Sequence, residues 1–398
     1  MNRLVRQLKS YGIQFREVVR NEFRAVFTDE GALLILVFAL LIYSTTYSLA
    51  YGPEVLRNVP IGVVDHSHTA ASRQLTATFD AGPNAYVAYE PADMEEARKL
   101  FFDRRIYGIV YIPEEYERHL LNGEQADVAL YVDASYFLMY RQVFEELVAT
   151  LGLTGASVGM QRLLLHGTEL PQAEATVQPV VYQSHNLFNP YLGYGSFTMP
   201  AIIIVIIQQT LLIGIGMIGG TWREKGLYRQ LCPVERTRMS TLPIVLGRAL
   251  VYLLIYGVTV SYVLGVHYKL FHYPDNGTAG AVALFMAVYL AASIAFSLAV
   301  STLFRTRESS LLLLLWTSIP VLMLSGVSFP KEGIPRWLYH LGQLLPSSSG
   351  INGFIRIRSM GATVAEVVPE ICILLLLTAI YGGLALFGIH RLLRRACQ

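Results

Sequence analysis

The chain has 398 residues, of which 53% are hydrophobic and 15% are charged, and its mean hydropathy is +0.43. This composition is too apolar for an ordinary soluble domain of this length, and it indicates a membrane protein. The formal net charge of +2 hides an uneven distribution, because residues 52–190 hold 18 of the 29 acidic residues but only 9 of the 31 Lys and Arg residues. All three cysteines lie outside this acidic region, which excludes a disulfide framework within it.

Residues 1–30 are basic, and they are expected to form a cytoplasmic segment that leads into the first apolar run. Apolar residues recur there at three- and four-residue steps, which predicts an amphipathic helix over residues 1–27. Such a helix lies in the membrane interface, with Arg16, Arg20 and Arg24 on its polar face. The alternative is a basic segment that only keeps the start of the first span soluble. The predicted apolar face comprises Leu4, Leu8, Tyr11, Phe15, Val18, Val19, Phe23 and Val26.

Six apolar segments are long enough to cross the bilayer, which takes roughly 20 helical residues for about 30 Å of hydrocarbon. The first span covers residues 31–51, and no cleavable signal peptide is expected before it, because this run is itself long enough to span. Residues 191–398 are predicted to form a bundle of five further helices. The six spans run approximately over residues 32–51, 197–220, 242–266, 281–304, 309–328 and 367–389.

Basic residues in the short connections predict the orientation, since positively charged flanks are retained in the cytoplasm. With the N-terminus inside, Lys and Arg cluster in the cytoplasmic segments 223–238, 305–307 and 391–395. We therefore expect both termini in the cytoplasm and residues 52–190 outside. Between the last two spans, residues 326–365 are expected to form an outer, re-entrant-like hairpin, which requires burial of its irregular backbone in protein.

Residues 52–190 alternate strand-like and helix-like patterns. Strands are expected at 59–64, 85–89, 106–112 and 128–132, and helices at 70–79, 93–104 and 114–121. This alternation predicts an α/β domain with a partly parallel sheet. A long helical pattern over 136–166 then leads back toward the bilayer. The predicted fold class is therefore mostly α: a polytopic membrane protein with six transmembrane helices and an α/β extracytoplasmic domain between the first two spans.

The residues give little sign of catalysis. No phosphate-binding loop of the form GxxxxGK[S/T] is present, so any ATP hydrolysis must be performed by another polypeptide. His66 and His68 lack a third ligand at a characteristic spacing and are interpreted as a turn, so no metal site is expected. No span pairs a nucleophile with a base, and no catalytic residue is assigned.

Polar residues within the spans are candidates for a transport pathway, since polar groups in the bilayer are costly unless they have a function. Gln208 and Gln209 lie in the second span, and Ser261 lies late in the third. Hydrogen bonding between helices is the alternative role for all three.

The connection after the second span carries the most informative motif. Residues 221–236 read TWREKGLYRQLCPVER and resemble the R-E-[RK]-x-G-T-x-E-x-L-x-x-[TS]-P-[VI] signature of type-2 ABC exporter permeases. Leu227 stands where the usual Thr is found, and Lys225-Gly226 is one residue shorter than the idealised spacing. The alternative is a basic loop that only fixes topology. The resemblance implies a coupling helix over residues 221–240 that contacts an ATPase through Trp222, Arg223, Glu224, Lys225, Gly226, Leu227, Leu231 and Pro233.

Further matches to the same family follow in the expected order along nearly the whole chain. They are VPIGVVD at 59–65 with SRQL at 72–75, IP at 112–113, GR at 247–248, SG at 325–326 with FP at 329–330, and LP at 345–346. The matched subgroup carries a large extracytoplasmic domain between its first two spans.

The resemblance implies a permease subunit of an ATP-driven exporter in the bacterial inner membrane. Its partners would be an ABC ATPase that binds ATP and Mg, a second permease copy or a paralogous permease, and membrane lipids. A periplasmic adaptor and an outer-membrane channel are further expected partners in a Gram-negative cell, and no nucleic acid is expected. The chain itself would bind no cofactor and would not be an enzyme.

An amphiphilic drug or lipid would be the substrate, as in multidrug efflux. The alternative is a membrane receptor or scaffold that uses the outer domain to bind a ligand or partner.

Overall fold

A computed structural model describes residues 2–181, 183–228, 241–326 and 328–396. The fold is mostly helical, and one small β-sheet lies in the N-terminal half of the chain. The chain divides into two compact units. The first unit comprises Met1–Glu54 together with Asn186–Gln398, and the second unit is Val55–His185.

Two helices separated by a single residue begin the first unit. Helix α1 (Asn2–Thr28) is followed by α2 (Glu30–Ala50), which contains a π-helical turn at Leu34–Phe38. Asp29 separates the two helices, because its side chain accepts a hydrogen bond from the backbone N–H of Ala32 at 3.0 Å and so caps α2. The helix expected over residues 1–27 is thus present, and its placement at a membrane surface stays a prediction.

The second unit is an α/β layer. Its four strands are β1 (Val59–Asp65), β2 (Ala85–Tyr89), β3 (Gly108–Ile112) and β4 (Ala129–Val132). Its helices are α3 (Ala70–Asp80), α4 (Met94–Phe102), α5 (Tyr116–Asn122), α6 (Phe137–Leu165) and α7 (Leu170–Val177). The strand order is β2-β1-β3-β4, with β1 parallel to β2 and β3, and β4 antiparallel to β3. The prediction of a partly parallel sheet with alternating strands and helices is confirmed.

Local signals in the sequence explain where the helices of this unit begin and end. Thr69 and Ser72 form a capping box at the start of α3, and Asp93 caps α4. Gly123 ends α5 in the left-handed conformation, with φ of +79°, which a residue with a Cβ adopts less readily.

The remaining helices of the first unit form a bundle around one central helix. They are α8 (Tyr194–Glu224), α9 (Thr241–Leu270), α10 (Ala279–Ser301), α11 (Glu308–Leu324), α12 (Arg336–Gly342), α13 (Pro346–Arg358) and α14 (Val364–Ala396). Helix α8 is central, because 94% of its most apolar stretch is buried and it packs against α2, α10, α11 and α13. Two tyrosine hydroxyls donate to it, from Tyr256 to Thr210 Oγ1 at 2.7 Å and from Tyr289 to the Ile204 carbonyl at 2.6 Å.

Six of the described helices are long and apolar enough to cross a membrane: α2, α6, α8, α9, α10 and α14. Five coincide with predicted spans. The predicted span over 309–328 corresponds to α11, whose 17 residues give a length of about 26 Å, shorter than the hydrocarbon core. Helix α6 was not among the predicted spans, but it is long and apolar enough to cross a membrane. Its residues Val143 and Leu147 are nevertheless buried in the core that covers the sheet. Apolar residues of α6 therefore serve partly for packing within the second unit.

Candidate functional site

The predicted coupling segment begins in the last turn of α8. Trp222 is buried there, whereas Glu224, Lys225 and Gly226 are exposed. Gly226 has φ of +64° and follows the C-cap Lys225, so a glycine ends the helix in the conformation that residues with a Cβ disfavour. Leu227 is half-buried. Residues 229–240, including Leu231 and Pro233, lie outside the described part of the chain.

A buried charge pair joins α1 to α9 beside this segment. Arg248 Nε donates to Glu22 Oε1 at 2.8 Å, and the two side chains are 1% and 0% exposed. The Tyr252 hydroxyl donates to the same carboxylate oxygen. Burying two charges is costly unless they are paired and hydrogen-bonded, so this geometry requires α1 to stay in place against α9.

Trp222 connects the charge pair to the predicted coupling segment. The Arg248 guanidinium lies 5.9 Å from the centre of the Trp222 ring, within the range of a cation–π interaction. The Tyr228 ring packs against Trp222 edge-on, with the ring centres 5.9 Å apart. The end of α8 is therefore in contact with the group that holds α1 on α9.

Close backbone approach accompanies the charge pair. A Cβ at Gly247 would lie 3.0 Å from Val18 Cγ1, so the glycine lets α1 approach α9 closely. The Gly247-Arg248 pair, singled out in the sequence as a family match, thus combines a small residue at the helix crossing with a cation that reaches Glu22.

One face of α1 packs into the protein. Val18 and Val26 of the predicted apolar face are buried there, and Glu22 lies between them because it is four positions from each. Phe23 of the same predicted face is exposed and stacks on Phe27 with ring centres 4.6 Å apart, so contact of this face with the membrane stays a prediction. Arg16, Arg20 and Arg24 are exposed on α1, in keeping with a polar face.

A second ion pair holds the junction of α1 and α2 against the connection between α10 and α11. Arg307 donates two hydrogen bonds to Asp29, one of them from Nη2 to Oδ1 at 2.7 Å. The Arg307 hydrogen bond is the main cause that lowers the pKa of the Asp29 carboxyl below its usual value. Asp29 in turn raises the pKa of Arg307, and the Glu224 carboxylate adds a weaker contribution of the same sign.

The end of α8 packs on the same connection. Arg223 Nη1 donates to the Phe304 carbonyl at 3.1 Å and to the Thr302 carbonyl at 3.4 Å. A Cβ at Gly220 would lie 2.4 Å from the Thr306 carbonyl oxygen, so a larger residue would push the two backbones apart. The predicted coupling segment therefore contacts residues 302–304 directly, and it contacts Arg248 of α9, which is itself paired with Glu22 of α1.

The polar residues predicted for a pathway lie in different surroundings. Gln208 Oε1 accepts a hydrogen bond from the backbone N–H of Ser347, at the start of α13, at 2.7 Å. Gln209 is buried, and neither of its amide atoms has a hydrogen-bond partner among the described residues. Ser261 is exposed on α9. Gln208 thus makes the bond between helices that was the alternative to a pathway role.

Metal-ligand geometry is not found in the described residues, where no three His, Cys, Asp or Glu side chains group together as a metal site would require. The segment with His66 and His68 forms a turn, in which Asp65 Oδ1 accepts from the backbone N–H groups of Ser67 and His68 at 2.9 and 3.1 Å.

The bundle of long apolar helices defines a multi-pass membrane protein, and comparison with known proteins gives its family. The family described as ABC-2 family transporter protein matches residues 31–387, so this chain belongs to that family. The membrane components of this family are transport subunits without their own ATPase site, and membership implies an ABC ATPase as partner. The alternative of a receptor or scaffold loses its support.

Three curated relatives are similar over most of their length. The probable multidrug ABC transporter permease YbhR of Escherichia coli (strain K12) is 24% identical over 332 residues, 83% of this chain and 85% of that protein. The inner membrane transport permease YhhJ of the same strain is 23% identical over 387 residues, 93% and 95% of the two chains. The linearmycin resistance permease protein LnrN of Bacillus subtilis (strain 168) is 22% identical over 334 residues, 81% and 85% of the two chains.

Sequence reasoning missed Glu22, Tyr252 and Asp29 as residues of this site. A signal for Glu22 was present, because an acidic residue four positions from both Val18 and Val26 interrupts an otherwise apolar stripe. Asp29 carried a weaker signal as a capping residue just before the first apolar run.

Proposed function

We propose that this chain is the permease subunit of an ATP-driven exporter of the bacterial inner membrane, which moves an amphiphilic substrate outward with a separate ATPase. The family assignment supports the permease role, and relatives named for multidrug transport and linearmycin resistance support an apolar or amphiphilic substrate. ATP and Mg would be bound by the partner ATPase. The chain functions as a homodimer or beside a paralogous permease.

The buried Glu22–Arg248 pair carries the coupling part of this proposal. It joins α1 and α9 beside Trp222, in the last turn of the central helix α8, and Tyr228 packs on Trp222 there. The exposed Glu224 and Lys225 are available to an ATPase, and the two residues before them, Trp222 and Arg223, pack against Arg248 and residues 302–304. A displacement imposed on this surface would therefore be passed to three helices as one rigid movement.

Packing around the helix ends supports the proposed topology. Arg223, Arg305, Arg391 and Arg395 come from three separate cytoplasmic segments of the sequence prediction and line one cavity, so these segments meet at the same end of the bundle. Because positive flanks favour the cytoplasm, this arrangement supports a topology with both termini inside. Residues 52–190 then lie outside, where an adaptor and an outer-membrane channel could be recruited in a Gram-negative cell.

Charge reversal at Glu224 tests the coupling role. Glu224→Arg is expected to prevent co-purification of the ATPase encoded with the permease and to abolish transport, because the exposed carboxylate would contact the partner directly. Glu332→Arg provides a matched control, since Glu332 is also exposed but follows the opposite end of α11. Membrane insertion, measured by yield and gel filtration, should be unchanged in both variants. Normal ATPase recruitment and transport by Glu224→Arg would refute the coupling role.

A further inference from the structure

A cavity of about 570 Å³ opens between the ends of α8, α10 and α14. Four arginines from three parts of the chain reach it: Arg223 from α8, Arg305 from the segment after α10, and Arg391 and Arg395 from the last turns of α14. Because residues far apart in sequence converge there, the cationic lining is a product of the fold rather than of one basic run.

The charge of this cavity is not balanced within the described chain. None of the lining residues is acidic, and Arg305, Arg391 and Arg395 form no ion pair with a described carboxylate. Arg391 and Arg395 lie four residues apart on one helix face, a spacing at which like charges destabilise the helix. An anion in the cavity would relieve this repulsion, and guanidinium groups are well suited to bind phosphate through paired N–H donors.

Part of the cavity lining is apolar and exposed. Leu303 and Phe387 line it and are 74% and 67% exposed, and Leu384 beside them is also exposed. These residues belong to or directly follow α10 and α14, which are both candidate membrane spans. A soluble anion would gain no free energy from contact with these apolar side chains. An acyl chain would cover them and gain the free energy of apolar burial.

We propose that this cavity binds the phosphate headgroup of an anionic phospholipid of the surrounding bilayer, with its acyl chains along Leu303, Leu384 and Phe387. A basic pocket between membrane helices is a recurrent way to hold such headgroups. The bound lipid would join the ends of α8, α10 and α14, and it is distinct from any transported substrate. The inference depends on the shape and charge of the cavity and not on the coupling role of Glu224.

Retention of lipid by the purified full-length chain tests the proposal. The protein is delipidated in detergent, mixed with dioleoyl phosphatidylglycerol or dioleoyl phosphatidylcholine, and examined by native mass spectrometry. We expect preferential retention of phosphatidylglycerol, and a weakening of about 25-fold in the double variant Arg391→Gln with Arg395→Gln. Arg394→Gln is the matched control, because Arg394 is exposed on the same turn but does not line the cavity. It should retain phosphatidylglycerol as the unaltered chain does.

Several results would overturn the proposal. Equal retention of the two lipids would show that charge plays no part, and equal weakening by Arg394→Gln would show a diffuse basic surface instead of a site. Glycerol phosphate without acyl chains is a third probe. If it displaced phosphatidylglycerol at equal concentration, the cavity would be a site for soluble phosphate compounds. Circular dichroism and gel filtration establish that the double variant is folded before its lipid binding is compared.

Discussion

Glu22 and Arg248 are separated by 226 positions in the sequence, yet their side chains meet at 2.8 Å and are almost completely buried. The pair determines which face of α1 packs on α9, because rotating the helix by one residue would leave both charges without partners. A helix that is held in one arrangement can transmit a displacement to its neighbours. A loosely packed amphipathic helix would shift by itself and would not pass the displacement on.

Breaking the buried pair should be strongly destabilising. Removal of one partner leaves the other as an uncompensated buried charge, so Glu22→Leu and Arg248→Met are each expected to lower the free energy of unfolding by about 3 kcal/mol or more. The double variant should lose less than the sum of the two, because both charges are then absent. Thermal unfolding of the purified permease in detergent measures all three.

Glu17→Leu is the control for this prediction, since Glu17 is on the same helix but exposed. Its effect on unfolding should stay within about 0.5 kcal/mol, as is usual for surface positions. Strict additivity of Glu22→Leu and Arg248→Met, or equal effects of Glu22→Leu and Glu17→Leu, would contradict a coupled buried pair.

The Asp29–Arg307 pair should make stability depend on pH. Because Arg307 lowers the pKa of Asp29 in the folded state, the contribution is fully present above the unfolded value of about 3.9 and is lost as pH falls through the lower folded pKa. Asp29→Asn keeps a capping oxygen but removes the charge. Its deficit relative to the unaltered chain should be about 1 kcal/mol or less at pH 7, since both side chains are partly exposed. In acid unfolding the deficit should shrink as pH falls below about 4 and vanish only below the lowered folded pKa of Asp29. A deficit that stays constant down to pH 3 would assign the effect to packing.

A methyl group added at Gly220 should disturb the end of α8. The new Cβ would lie 2.4 Å from the Thr306 carbonyl oxygen, so Gly220→Ala is expected to cost about 1–3 kcal/mol of unfolding free energy and to reduce transport. Gly257→Ala in α9 is matched to it, because a Cβ there meets no atom within 4 Å. That variant should be neutral or stabilised by up to about 1 kcal/mol through helix propensity. Similar losses in the two variants would show that the close contact at Gly220 has no special cost.

The sequence predicted helices and strands correctly where their ends depend on neighbouring residues. The strands of the second unit alternate with helices that begin at Thr69 and Asp93 and end at Gly123, and these are signals that neighbouring residues provide. Five spans were likewise predicted by a run of apolar residues alone. Helix α11 ends at Leu324, four residues before the end of the predicted span, and Gly326 follows with φ of +84°. A single glycine changes an average hydropathy too little to reveal that the helix ends there.

Contacts between distant segments could not be read from any local pattern. Arg248 was recognised only as part of a motif, and nothing near it in the sequence identifies Glu22 as its partner. The same holds for the four arginines of the cavity, which appear in the sequence as separate topological signals. Ser261 was grouped with Gln208 and Gln209 because all three are polar in apolar runs, but whether such a residue faces protein or lipid depends on the neighbours of each helix.

Gln208 and Gln209 are adjacent residues of the same type, and the structure gives them different roles. Gln208 accepts a hydrogen bond from the backbone N–H of Ser347 in the first turn of α13, a group that the helix itself leaves unpaired. Gln208→Leu would leave this buried N–H without a partner, so it is expected to cost about 1–3 kcal/mol of unfolding free energy.

Gln209→Leu should have the opposite effect on stability. The Gln209 amide is buried without a partner among the described residues, so an apolar side chain of similar size is expected to be neutral or stabilising. If Gln209 contacts the transported substrate, the same variant will lose transport while its unfolding temperature is unchanged or raised. Parallel measurement of export and thermal unfolding in the two variants separates these roles, because a loss of stability by Gln209→Leu equal to that of Gln208→Leu would leave Gln209 with a structural role only.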